Sequence, residues 1–121
     1  MSKVDRYRQS LRELDDWDAF LLQESNLPGP RGNIELAQAV ALEGDARLFR
    51  RYLGYDATRA PTNSPEEFLA FCGILGLGAL LRGGDRSVLP MLRTCASDAR
   101  WRSREAVAMA LQYYGDRDMG A

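Results

Sequence analysis

The side chains able to do chemistry in this 121-residue chain are defined first by what is absent: the sequence contains no histidine. A Ser–His–Asp triad, a histidine-ligated zinc and imidazole acid–base catalysis are therefore excluded. Two cysteines, Cys72 and Cys95, cannot build a four-thiolate metal site. Both lie in apolar runs, where a reduced thiol behaves as a small hydrophobe. Asp15, Asp16 and Asp18 have the hard oxygens a divalent cation would need. Ahead of an apolar run, however, their simpler role is to favour a helix N-terminus through its dipole. No catalytic residue, metal or cofactor is expected. What remains is recognition chemistry. Trp101 sits between Arg100 and Arg102 at the start of a helix, and Arg31 sits in the Pro- and Gly-rich segment "LPGPRGN" (27–33). Arg31, Trp101 and Arg102 are the candidate surface-recognition residues.

Formal net charge is −1, so no overall field draws the chain to nucleic acid or anionic lipid. The charge is unevenly placed: residues 13–18 are acidic, whereas 82–104 hold six arginines against two aspartates. Lys3 is the single lysine among 16 basic residues, a bias that GC-rich coding explains better than selection for phosphate binding. The first residues, Met1 to Arg6, contain no apolar run of the secretory kind. A cytoplasmic, reducing location with unpaired cysteines is the expectation.

The elements that must position these residues read as helices throughout. Val4, Tyr7, Leu11 and Leu14 share one helical face, and Trp17, Phe20 and Leu21 share the next. Asn33 can cap a helix through Ala37, Val40 and Ala41; Gly44-Asp45 ends it and caps another carrying Leu48, Phe49, Tyr52 and Leu53. Residues 54–63 are a loop by composition. Ser64-Pro65-Glu66-Glu67 then has the form of a capping box, with Ser64 at the N-cap and Glu67 three residues on. Gly83-Gly84 stops that helix and Asp85 caps the next, which carries Val88, Leu89, Leu92 and Cys95. Ala106, Val107, Ala110, Leu111 and Tyr114 form the last stripe, with Gly115 as its stop. The sum is about seven helices and no strand, one domain over residues 1–121.

The stretch "FLAFCGILGLGALL" (68–81) admits three readings. As a helix its uncharged run would rise about 21 Å, short of the roughly 30 Å of a hydrocarbon core. Its glycines, Gly73, Gly76 and Gly78, lie inside a helix already opened, whereas a dinucleotide-binding loop must follow a strand and open a helix. A helix apolar all round is buried all round. It is expected to be the central core helix, with glycine allowing neighbouring backbones to approach.

From Asp85 onward, "DRSVLPMLRTCASDARWRSREAVAMALQYYGD" resembles one HEAT-type helical repeat, clearest at 85–115. The likeness is carried by Pro90 in a first helix, a turn marked by Asp98, and a second helix with Arg104, small residues and a closing Ala-Leu. It implies an all-α, armadillo-type solenoid of stacked antiparallel hairpins. Pro90 would bend the first helix, and Arg104 would hydrogen-bond the turn aspartate. A weaker echo, "GDARLFRRYL" (44–53) against "SDARWRSREA" (97–106), fits stacked hairpins. The implied function is a non-catalytic module that presents a helical surface to a protein partner, with a homodimer through one end of the stack as a further expectation. The HEAT-like DNA alkylation-repair glycosylases suggest an alternative. Trp17-Asp18 is similar to a Trp-Asp segment of that family, and Trp101 with Arg100, Arg102 and Arg104 resembles a phosphate-and-stacking surface within the Arg-rich 82–104 region. A slightly negative chain of about half that family's length fits it less well.

Overall fold

The computed structural model describes residues 1–114. Seven α-helices account for most of them: α1 (Lys3–Arg12), α2 (Asp18–Gln23), α3 (Ile34–Glu43), α4 (Ala46–Leu53), α5 (Glu67–Arg82), α6 (Leu89–Cys95) and α7 (Trp101–Tyr114). A 3-10 turn, Arg86–Val88, leads directly into α6, and there is no strand among the described residues. Gly115, read as the stop of the last helix, lies outside the described residues.

Local caps set the boundaries. Ser2 Oγ accepts from the Asp5 N–H at 3.1 Å, Asn33 Oδ1 from the Leu36 N–H at 3.2 Å, and Asp45 Oδ1 from the Leu48 N–H at 2.9 Å. Each satisfies one of the donors a helix start leaves free. Helices α1, α3, α5 and α7 pack in that order as a row. Helix α4 lies along α5, α2 touches α5, and α6 fills the angle between α5 and α7.

Helix α5 is the centre of this arrangement, buried from Glu67 to Gly78 without a break. Its glycines admit neighbours to backbone contact. A Cβ on Gly73 would stand 2.9 Å from the Phe49 carbonyl oxygen of α4, and one on Gly78 would stand 2.7 Å from the Ala110 Cβ of α7. No helix among the described residues is long and apolar enough to cross a membrane.

Several local expectations are corrected. Ser64 is not the N-cap of α5. Its Oγ donates to the Pro61 carbonyl at 2.7 Å, and a tight turn with Glu67 N–H to Ser64 O at 3.0 Å delays the helix to Glu67. Half of the box survives one residue upstream, where Glu67 Oε1 accepts from the Asn63 N–H at 2.8 Å. Pro90 occupies the first turn of α6, where its missing N–H breaks no hydrogen bond, so it bends nothing there. Arg104 reaches the carbonyls of Asp98 and Ala99, at 2.9 and 3.0 Å, rather than a carboxylate. The Asp98 carboxylate is taken by Arg100 from two residues away. Leu14 falls beyond the end of α1 and is exposed, and Leu111 lies on the outer face of α7 while Met109 turns inward.

Candidate functional site

The Pro- and Gly-rich segment is not a slack connection. Leu27 N–H donates to Ser25 Oγ at 3.1 Å, Gly29 N–H to Asn63 Oδ1 at 3.0 Å, and Asn33 N–H to the Ser25 carbonyl at 3.0 Å. Thus tied down, residues 27–34 form one side of a groove of about 330 Å³. The first turns of α5 make its floor and the first turns of α7 its far side. Leu27, Ile34, Phe68 and Phe71 supply the apolar surface, with the two phenylalanine rings stacked at 6.5 Å between centroids. Phe68 and Phe71 are one helical turn apart on α5, which is why they face the same side.

Trp101, the first residue of α7, forms a wall of this groove and is 43% exposed. A half-exposed tryptophan is held still here by its neighbour. The Arg102 guanidinium stacks on the Trp101 ring at 4.4 Å from the centroid. That guanidinium is itself fixed, donating to Glu67 Oε1 at 3.0 Å and to the Gly29 carbonyl at 2.7 Å. Arg102 is 4% and Glu67 1% exposed, so this is a buried ion pair. One carboxylate–guanidinium pair thereby ties the 27–33 segment, the start of α5 and the start of α7 together. Glu67 Oε1 carries both its bonds, and Oε2 has no partner among the described residues.

Arg31, Trp101 and Arg102 all line this one groove. Their roles differ from expectation in one case. Arg31 is exposed on the lip and Trp101 on the wall, but Arg102 is interior and supports the wall instead of meeting solvent. Two acidic members of the site were not expected there: Glu67, which read as a cap, and Glu105, exposed on the α7 side of the groove. Glu105 follows Trp101 by one helical turn, so the spacing itself could have placed it on the same face.

Of the other arginines around Trp101, Arg100 turns inward, whereas Arg104 is exposed and bonds to backbone carbonyls beside it. Arg100 is 4% exposed and donates to both Asp98 oxygens and to the carbonyls of Tyr55 and Ala60, at 2.9 and 3.0 Å. Hydrogen bonding from Arg100 holds the Asp98 carboxyl below its ordinary pKa. Arg100, Arg102 and Arg104 therefore all bond to acceptors within the chain, while Arg82, Arg86 and Arg93 are exposed and take part in no ion pair among the described residues.

Nor do the aspartates near Trp17 converge. Asp18 accepts from Arg51 at 2.7 Å and from the Tyr52 hydroxyl at 2.7 Å, and the Arg51 bond draws its carboxyl pKa down. Asp16 accepts from the Asp18 N–H at 3.0 Å, closing the turn before α2. Among the described residues no group of acidic or cysteine side chains is placed to hold a metal ion. Burial pushes the Cys72 thiol well up and the Cys95 thiol up, away from the thiolate a nucleophile requires.

No protein-family model, curated protein or solved structure matches the chain. The groove's own chemistry carries the functional reading.

Proposed function

We propose that this chain is a non-catalytic recognition module whose groove takes one apolar side chain of a protein partner. The observation that carries the reading is Trp101: a large ring, 43% exposed, held over an apolar floor by a buried guanidinium. Rigid aromatic anchors beside desolvated pockets are where binding energy concentrates. At about 330 Å³ the groove lies at the small end of ligand sites, which suits a single side chain better than an extended cofactor. The row α1–α3–α5–α7 supports a short HEAT-like stack as the scaffold, with the groove at its α5–α7 step. A protein partner is favoured over nucleic acid because the arginines flanking Trp101 satisfy internal acceptors and do not reach toward phosphates.

The test is fluorescence anisotropy with short labelled peptides that differ only in a central residue, phenylalanine or alanine. The protein should bind the phenylalanine peptides and not the alanine ones, and Trp101→Ala should lose about tenfold or more in affinity with its helical circular dichroism unchanged. Equal binding of both peptides, or no binding at about 1 mM, would remove the reading.

A further inference from the structure

The two sides of the groove carry opposite charges that no ion pair among the described residues neutralises. Arg31 stands exposed on the loop side, and Glu105 stands exposed on the α7 side. The ion pairs among the described residues involve Arg8, Arg12, Arg51, Arg100 and Arg102 with Glu43, Asp18, Asp98 and Glu67; neither Arg31 nor Glu105 takes part, and they do not pair with each other. The third charged residue lining the groove, Arg102, is committed to Glu67. Arg100 binds Asp98. The groove is thus apolar at its floor, basic at one lip and acidic at the other.

Resting on the reading above, we propose that the occupant is a peptide segment whose apolar residue is flanked by an acidic residue on one side and a basic residue on the other. The apolar side chain enters against Phe68, Phe71 and Trp101. The flanking carboxylate meets Arg31, and the flanking cation meets Glu105. A segment with two like flanking charges places one of them against its own sign, and rim charges of this kind select partners more than they add affinity. Both lips are solvent-exposed, so each pair contributes modestly and weakens as salt screens it.

Three peptides, N-terminally labelled and C-terminally amidated, separate the possibilities: Gly-Glu-Phe-Lys-Gly, Gly-Glu-Phe-Glu-Gly and Gly-Lys-Phe-Lys-Gly. The mixed-charge peptide should bind about two- to fivefold more tightly than either like-charged one at about 50 mM salt, with the difference fading near about 500 mM. Arg31→Glu makes both lips acidic, so the Lys-Phe-Lys peptide should then bind best. Glu105→Arg makes both basic, so the Glu-Phe-Glu peptide should then bind best. Both positions are exposed and outside the ion pairs among the described residues, and the two variants test the idea independently, each checked for helical circular dichroism. An unchanged ranking in both variants, or equal binding of the three peptides, overturns the charge assignment while leaving the groove reading in place. Failure of every phenylalanine peptide to bind overturns both.

Discussion

Trp101 and Arg102 are adjacent in the chain and are divided by one property, the location of an acceptor. Arg102 finds Glu67, 35 residues upstream, and is drawn inside; Trp101 finds only the stacked guanidinium and keeps a face to solvent. Burying an ion pair stabilises little in itself, because desolvation opposes the Coulomb attraction, but removing one partner leaves an uncompensated charge. Glu67→Gln should therefore cost about 3–5 kcal/mol in urea unfolding, whereas the double change Glu67→Gln/Arg102→Met should cost clearly less than the sum of the two single changes. Additive losses would show that the pair acts through packing alone. At this scale the sequence is legible where the reason is local. Trp101 flanked by arginines, and Arg31 between prolines and glycines, read correctly as exposed. The burial of Arg102 and Arg100 does not, because it depends on distant acceptors, Glu67 and Gly29 for the first and the Tyr55 and Ala60 carbonyls for the second, 35 to 73 residues away, and no local pattern announces them.

Elements were more legible than contacts, and α5 shows both sides of this. Its uniform apolarity is enough to place it at the centre, and Gly73, Gly76 and Gly78 mark where neighbours cross it. Which helix crosses where is a tertiary fact: α4 meets Gly73, and α7 meets Gly78 through Ala110. Gly78→Ala gains up to about 1 kcal/mol of helix preference but forces two backbones apart, at about 1–3 kcal/mol. The net effect should be a lower melting temperature, partly recovered by Ala110→Gly. A variant as stable as the parent would mean that α5 and α7 can separate at no cost. The start of α5 misled for a related reason. Ser64-Pro65-Glu66-Glu67 has the sequence of a capping box, yet Glu67 is pulled toward Arg102 and reaches back to Asn63 instead of Ser64. The proline near the start of α6 is similarly explained by position, since the preceding 3-10 turn takes up the change of direction.

For the molecule as a whole, the row of helices ends in α1, which packs mainly on one neighbour. Helix α1 packs on α3, and its polar latch is Glu43, which accepts from Arg8 at 2.7 Å and from Arg12 at 2.8 and 2.9 Å. The Arg12 hydrogen bond, with Arg8 adding to it, lowers the Glu43 carboxyl from 4.5 to about 2. A carboxyl depressed on folding contributes stability that is fully present above its unfolded pKa and lost as pH falls through the folded one. The latch should therefore hold at neutral pH and weaken from about pH 4.5 down to about 2. In hydrogen exchange, α1 amides should open ahead of those of α5 as the pH is lowered across this range, and Glu43→Gln should remove the acid dependence. Simultaneous opening of α1 and α5 would argue for a single cooperative unit. The all-α architecture and the central helix are legible from hydrophobic spacing. The order of the row is not, because it depends on which small residues let which backbones approach. One further consequence follows from a helix enclosed on every side. A segment without an outward face has nowhere to accept neutral change, whereas the side chains of Arg31 and Glu105 are exposed and outside the ion pairs among the described residues, so they can vary without disturbing the fold. Among descendants of this chain, residues 67–78 should remain the stable signature of common ancestry, while positions 31 and 105 record divergence in what each one recognises.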